Sequence, residues 1–497
     1  MNLTTGGVKR MIALESIVTI AGFVLFALNL ILAATIIFVE KRDIGTTWAW
    51  LFVLMFLPLI GFLIYLFFGR SMQSDNFYRV LDEERAAHSA RIAIQQDLVA
   101  RKAGVFGTHP LLKKYSQLLK MNLTSTNALV SFENAASVIH DGEQKFQRLM
   151  QDISDAKKEI NVQYYILQND ALGTALVDKL TEKANEGIKV RLLYDAVGSR
   201  GLARYDFSRF TASGGEVKSF FPSTLGINFR VNNRNHRKLC IIDGAIGYVG
   251  GFNVGTEYLG TDPKFGYWRD VHLRFEGEVI DQLLERFLLD WNRSVPTKVI
   301  ESRSAFEWHS PGTRSLTPVQ IVTSGPNSST EHSKNMLIKM ISAAKSSIYI
   351  QSPYFIPDAS FLDACRIALL SGVEINLMIP NKPDHIFVYW ATFANAAELV
   401  RYGANVYTYE SGFLHAKTLV VDEEVASIGT VNIDARSFRL NFEISALVYD
   451  AEVARSVTEA FRKDLADCEL LTLERYESRP HWIRFKESIA RLLSPIL

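Results

Sequence analysis

Two stretches of this chain carry the same polar residues at the same spacing. "NHRKLCIIDGAIGYVGGFN" (235–253) and "LHAKTLVVDEEVASIGTVN" (414–432) each set a lysine two residues after a histidine, an aspartate five further on, and an asparagine ten beyond that. The two sets are His236, Lys238, Asp243 and Asn253, and His415, Lys417, Asp422 and Asn432. Read as strands, they put histidine and lysine on one face, a pairing suited to an anionic tetrahedral ligand. The imidazole can attack or exchange protons, and the ammonium supplies fixed positive charge. The aspartates have the opposite parity, so they fall at the strand end and are expected to fix the loop. The small residues that follow allow close backbone approach, and the asparagines offer donors for phosphate oxygens. One His-x-Lys alone would read as a surface pair; two copies with matching glycine and asparagine argue for a site. No metal is expected, because no His/Cys/Asp pattern has ligand spacing and the lysines would repel a cation.

The elements that must hold these residues are also written twice. "AKKEINVQYYIL" (156–167) is echoed by "AKSSIYIQSPYF" (344–355), and "LVDKLTEKANEGIKVRLLYD" (176–195) by "FLDACRIALLSGVEINLMIP" (361–380). In each half the order is helix, buried strand, helix, glycine, buried strand, and then the His-Lys-Asp strand. This predicts two similar α/β domains, each a largely parallel sheet covered on both faces, packed face to face. The expected boundaries are 126–301 and 317–475, with the Ser/Pro/Gly-rich 302–316 as linker. Residues 71–125 read as a helical connector over a membrane. Net charge is +1 over 497 residues, which gives no field favouring nucleic acid. The three cysteines, Cys240, Cys365 and Cys468, form no metal spacing and no disulfide framework, and Cys240 reads as a small buried filler.

The amino-terminal residues 1–70 read as a membrane hairpin. Residues 17–39 and 46–68 carry no charge, and each run is long enough to cross about 30 Å of hydrocarbon. Trp48, Trp50 and Tyr65 sit where interfacial rings belong, and Pro58 is expected to kink the second helix. Lys9, Arg10, Arg70, Arg79 and Arg85 flank the ends, against Lys41 and Arg42 in the turn, which puts both ends and the large soluble part in the cytoplasm. At the other terminus, 476–497 sets Trp482, Ile483, Phe485, Ile489, Leu492, Leu493 and Ile496 among Arg479, Arg484, Lys486 and Arg491. That profile fits a helix lying on an anionic membrane or an ordinary docking helix. The apolar approach 219–235 is expected to form a loop beside the first motif.

The pattern HxKxxxxD followed by a small-residue turn and asparagine resembles the signature of the phospholipase D superfamily, whose active site lies between two such halves. The resemblance implies two phospholipase D-like α/β/α domains in a pseudo-twofold arrangement and a phosphohistidine mechanism without metal or cofactor. It also implies a carboxylate on a following strand to orient each histidine: Asp270 in "WRDVHLRFEG" and Glu443 in "NFEISALVYD". The residues alone do not say which histidine attacks; the resemblance favours His236. The segment "KRDIGTTWAWLFVLMFLPLIGFLIYLFFGR", the run "HAKTLVVDEEVASIGTVNIDARSFRLNFE" (415–443) and the tail ending "SPIL" resemble bacterial cardiolipin synthases over nearly the whole chain. The implied reaction moves a phosphatidyl group from one phosphatidylglycerol to another on an anionic phospholipid membrane, giving cardiolipin and glycerol. A membrane-bound hydrolase using the same residues, and a non-catalytic scaffold of the same fold, are the alternatives. A nuclease is disfavoured by the charge balance and the lipid anchor. Oligomeric state is left open, a homo-oligomer included.

Overall fold

The computed structural model describes residues 4–40, 44–69, 72, 77–78, 82–222, 232–295 and 316–492. Several expectations lie outside the described residues: the linker 302–315, the turn 41–43, the loop centre 223–231 and the tail 493–497. The chain forms two compact units, one of Met1–Gln73 with Ser223–Asn232 and one of Ser74–Pro222 with Asn233–Leu497.

In the first unit a single helix, Thr4–Phe38, contains the apolar span Ala13–Phe38. It is the one described helix long and apolar enough to cross a membrane. The second apolar run departs from the expected kinked span: it is cut into the helices Ile44–Phe56 and Pro58–Ile64, followed by a π-helical turn, Tyr65–Gly69. The break sits at Leu57 (φ −128°, ψ 63°), where the ring of Pro58 pushes the preceding residue out of the helical region. The pieces still pack on the first helix. The Asn29 amide donates to the Pro58 carbonyl (2.9 Å), and the Tyr65 hydroxyl to Glu40 (3.0 Å).

The second unit holds both repeats, and the predicted order of helices and strands is present in each, with a further helix and strand inserted before the motif: Ser208–Ala212 and Glu216–Phe220 in the first half, Ile386–Val400 and Asn405–Tyr409 in the second. The first sheet has seven strands in the order Asn134–Ile139, His272–Gly277, Ile246–Gly250, Leu239–Ile242, Glu159–Tyr164, Lys189–Asp195 and Glu216–Phe220. The second, of ten, is built around Val319–Ser324, Asn441–Val448, Val425–Gly429, Thr418–Val421, Ser347–Gln351, Glu374–Pro380 and Asn405–Tyr409. These sheets are mixed, not largely parallel. Parallel pairing within the first sheet is confined to the Glu159–Tyr164, Lys189–Asp195 and Glu216–Phe220 strands and, in the second, to their counterparts and to the short strand Arg234–Asn235, which runs beside Asn441–Val448. The cause is a tight turn after each motif. Asp243 and Gly244 (φ 56° and 64°), and Asp422 and Glu423 (φ 53° and 56°), take left-handed conformations that fold the strand straight back. "DG" between two apolar runs is a hairpin signal that the α/β reading passed over.

Apolar faces close each core. Leu176, Leu180, Phe146 and Leu149 pack on one face of the first sheet. Met336, Met340, Phe361 and Cys365 do so on the second. The 71–125 segment is no mere spacer: Leu112, Tyr115, Leu118, Leu119 and Leu123 are buried in the core of the second half. The strand Val130–Ser131 likewise joins the second sheet, beside Val319–Ser324. The helices Val279–Ser294 and Ala451–Asp464 each touch both sheets.

Candidate active site

The residues of each motif begin just ahead of the regular strand rather than inside it, since the ladders start at Leu239 and Thr418. What fixes them is the other half. Arg234–Asn235, immediately before His236, pairs in parallel with Asn441 and Phe442, immediately before Glu443. Gly412–Leu414, immediately before His415, pairs in parallel with Tyr267–Arg269, immediately before Asp270. The His236 backbone N–H donates to the Phe442 carbonyl (2.9 Å), and that of His415 to the Arg269 carbonyl (2.7 Å).

This exchange decides the carboxylates. His236 Nδ1 lies 2.9 Å from Glu443 Oε2 and 3.1 Å from the Thr430 carbonyl, while His415 Nδ1 lies 2.5 Å from Asp270 Oδ2. Each histidine is therefore held by the carboxylate of the opposite half, which no reading of a single motif could reveal. Lys238 Nζ donates to the His236 carbonyl (2.7 Å), and Lys417 Nζ likewise to the His415 carbonyl. Both lysines act electrostatically on both imidazoles, so the two motifs share one charged centre.

The remaining expected residues divide. Asn253 Oδ1 accepts from the Ile166 N–H (3.1 Å), and its amide donates to the Tyr258 hydroxyl (2.6 Å). Asn432 Oδ1 is buried without a hydrogen-bond partner among the described residues. Asp243 and Asp422 face away from the histidines. Asp243 accepts from the N–H groups of Lys157, Lys158 and Glu159 (2.7–2.9 Å), and Asp422 from those of Lys345, Ser346 and Ser347 (2.8–3.2 Å). They tie each motif's turn to the start of a neighbouring strand. Among the described residues no group of three or more His, Cys, Asp or Glu side chains could hold a metal ion. Cys240 is buried, and burial pushes its thiol up to about 12.

Aromatic rings wall the centre. Tyr165 stands 4.8 Å from the His236 ring, and Trp268 and Tyr258 stand 5.3 and 6.2 Å from that of His415. In this buried setting both histidines are held below their ordinary range. Burial is the main cause in each case, with the lysine charges adding to it, and His415 falls to about 3. Burial also lowers Lys417 to about 8 and Lys238 well below the usual lysine range. Burial opposes the charged Glu443 carboxylate, yet His236, Lys238 and the Thr430 hydroxyl outweigh it and its pKa falls.

Behind the motifs lies a layer that the sequence reading missed. Gln163 and Gln351 are buried inside apolar strands, and each donates to an aspartate on a helix between the sheets: Asp290 (2.8 Å) and Asp464 (3.3 Å). Arg237 closes the first pair at 2.8 Å and Arg269 the second at 2.8 Å. A polar residue at the same place in two repeats of an otherwise apolar strand was the available signal.

Comparison with known proteins agrees with this architecture. Residues 149–287 and 337–465 match the family described as cardiolipin synthase, PLD-like domain, and residues 27–70 match the phospholipase D-nuclease N-terminal family. The major cardiolipin synthase ClsA of Bacillus subtilis is 50% identical over 95% of this chain and 98% of its own length. A cardiolipin synthase of Staphylococcus aureus is 49% identical over 95% of both. The crystal structure of phosphatidylserine synthase from Haemophilus influenzae superposes with a TM-score of 0.60 at 15% identity, covering 77% of this chain and all of that one, a likeness of fold. The chain belongs to the cardiolipin synthase family of phospholipase D-like proteins.

Proposed function

We propose that this chain makes cardiolipin from two molecules of phosphatidylglycerol through a phosphohistidine, with His236 as nucleophile and His415 as general acid and base. The observation that carries the reading is the reciprocal pairing of His236 with Glu443 and of His415 with Asp270. A carboxylate on Nδ1 keeps a proton there and leaves Nε2 to face the phosphorus. His236 attacks the phosphodiester phosphorus, the bond to the headgroup glycerol breaks, and His415 gives that oxygen a proton. The primary hydroxyl of the second phosphatidylglycerol then passes its proton to His415 and attacks, and the phosphorus–nitrogen bond breaks. Lys238, Lys417, Asn253 and Asn432 hold the non-bridging oxygens as charge builds on them. No cofactor enters these steps.

The depressed histidines fit this order. With the site empty, burial and then the lysine charges disfavour imidazolium, so the attacking ring is neutral. The bound phosphodiester anion offsets those charges, which lets His415 carry a proton when the leaving group needs it. The rings of Tyr165, Tyr258 and Trp268 keep water from the intermediate, which hydrolysis would convert to phosphatidic acid. Asp243 and Asp422 position rather than react.

The two apolar segments of the first unit are proposed to enter the bilayer as a hairpin, with the catalytic halves, in a pseudo-twofold arrangement, on the cytoplasmic side. The test of function is product analysis. Purified protein with labelled phosphatidylglycerol in mixed micelles, chelator present, is expected to give cardiolipin and free glycerol. Phosphatidic acid without cardiolipin would replace the transferase by a hydrolase.

A further inference from the structure

The C-terminal helix His481–Leu492 is docked inside out. Its single acidic residue, Glu487, and the small Ala490 face the protein. Arg479 pairs with Glu487 at 2.6 Å, and Ala490 packs against Ala391 and Ile356. Its apolar stripe faces outward: Trp482 is 62% exposed, Phe485 58% and Ile489 38%. A helix held only to complete a core would bury that stripe at i, i+3 and i+7.

The neighbouring helix Ile386–Val400 continues the same surface. Ile386 and Phe387 are 57% and 48% exposed, and Phe387 meets Trp390 edge to face at 5.9 Å. The Lys486 ammonium lies 4.7 Å from both the Trp390 and the Trp482 rings, bridging the two helices, and Trp482 stacks on Phe485. Cations accompany the rings. Arg484 and Arg491 are exposed, Arg491 while bonded to Glu398 (2.9 Å).

This face adjoins the reacting centre. Beneath it Ile356, in the pair Phe355–Ile356, lies in register with Ile433–Asp434, directly after Asn432. Asp384, two residues before the helix, accepts from the Tyr354 hydroxyl and acts electrostatically on Lys417. We propose that the helices Ile386–Val400 and His481–Leu492 form an interfacial platform that sinks Phe387, Trp482, Phe485 and Ile489 into the headgroup layer of an anionic bilayer, so that phosphatidylglycerol passes sideways from the membrane into the site. Aromatic rings flanked by arginine and lysine match that layer, whose negative charge the substrate itself supplies. The identity of the lipid that passes rests on the proposed function; the contact with the bilayer does not.

The test uses the full chain in vesicles, with Cys468→Ser and a fluorescent label at Phe485→Cys, Phe387→Cys or, as control, Arg209→Cys. Lipids carrying a nitroxide high on the acyl chain are expected to quench the labels at 485 and 387 at least twofold in phosphatidylglycerol vesicles and to leave that at 209 unchanged. In parallel, Trp482→Ser with Phe485→Ser is expected to lower the ratio of vesicle activity to detergent-micelle activity about tenfold. Labels that stay open to aqueous iodide in vesicles would overturn the platform. So would protection that follows protein concentration in lipid-free micelles, which would assign the face to a second copy of the chain. Loss of cardiolipin formation in both media with quenching intact would instead sink the functional reading and leave the platform standing.

Discussion

The two halves present the same histidine and lysine to one site, yet they support them differently. In the first half the arginine that meets the buried aspartate belongs to the motif itself: Arg237 follows His236 and bonds Asp290. In the second half that position is Ala416, and Asp464 is met by Arg269, which comes from the first half. Arg237 also donates to the Glu443 and Ser324 carbonyls of the second half (3.1 Å each), so both guanidiniums stitch the seam from the same side. The charge consequences diverge. Burial would raise the Asp290 carboxyl, but Arg237 and Arg286 overcome it and hold it at about 2; burial keeps that of Asp464 above the usual range despite Arg269. The proposed reaction demands two histidines facing one phosphorus; it does not demand matching scaffolds behind them.

The sharpest way to break this comparison is to remove each histidine. His236→Ala and His415→Ala are each expected to cost about 10⁴-fold or more in turnover, since residues acting as a unit fail together. They differ in what accumulates. A denaturing quench at neutral to alkaline pH, which spares the acid-labile phosphorus–nitrogen bond, should trap label from phosphatidylglycerol on His236 in the His415→Ala protein, and the reciprocal variant should trap none. Label on His415 would reverse the assigned roles. The carboxylates come next. Glu443→Gln and Asp270→Asn should each lose about 10²–10⁴-fold through loss of the imidazole's orientation. Glu443→Gln should shrink the amplitude of glycerol released in a single turnover, whereas Asp270→Asn should slow release of both glycerol and cardiolipin. Identical profiles would erase the distinction between the halves.

The buried ion pairs sharpen the comparison through stability. Asp290→Asn leaves Arg237, 2% exposed, without its counter-charge and is expected to cost about 3–5 kcal/mol. Asp464→Asn, at a carboxylate 15% exposed, should cost less, on the order of 1.5–3 kcal/mol. Thermal unfolding in detergent measures both. A carboxyl at about 2 when folded and about 3.9 when unfolded contributes stability that is complete above about pH 4 and is lost as pH falls through 2. Asp290→Asn should therefore flatten the acid limb of the stability profile.

A smaller effect separates the lysines. Lys417, at about 8, is charged below that pH and neutral above it, so kcat/KM should fall about tenfold per pH unit beyond 8. Lys417→Arg keeps its charge throughout and should give a lower rate that stays level from pH 8 to 10. A fall that persists in the arginine variant would assign the titration to another group.

The sequence carried the chemistry further than the scaffold. His236, Lys238, His415 and Lys417 were legible because two matched copies of a polar pattern are hard to explain by burial or surface chance. The repeat gave the order of helices and strands up to the second buried strand of each half for the same reason. The direction of the strands departs from what α/β alternation predicts because "DG" and "DE" hold left-handed turns that reverse the chain after each motif. The partnership of each histidine with the opposite half could not be read from either motif, since it depends on strand pairs joining residues about 145 and 207 apart, spacings that no local pattern encodes. The break at Leu57 shows a different limit: hydropathy measures how apolar a segment is, and says little about where a proline interrupts it.

The smallest test concerns one hydroxyl. Thr430 occupies in the second half the place that Gly251 has in the first, two residues before each asparagine. Its hydroxyl donates to Glu443 Oε2 and accepts from the Ile444 N–H (3.0 Å), so the Glu443 carboxylate is held by Thr430, by the Asn441 amide (3.1 Å) and by His236. Asp270 has its own neighbour's N–H, from Val271 (2.7 Å), and no hydroxyl in that position. Gly251 cannot supply one: a Cβ there would lie 1.9 Å from Asp270 Oδ1, so the shorter aspartate and the glycine require each other. Thr430→Val keeps the shape and removes the hydrogen bonds, a loss of about 1–3 kcal/mol shared between folding and the orientation of His236. If the orienting role is real, kcat should fall about three- to tenfold while KM holds and the kcat pH profile shifts upward, because a less stabilised carboxylate raises the imidazole pKa. Thr430→Ser, which restores the hydroxyl, should recover both. A stability loss with kcat unmoved would reduce Thr430 to packing and leave the two halves chemically equivalent at their histidines.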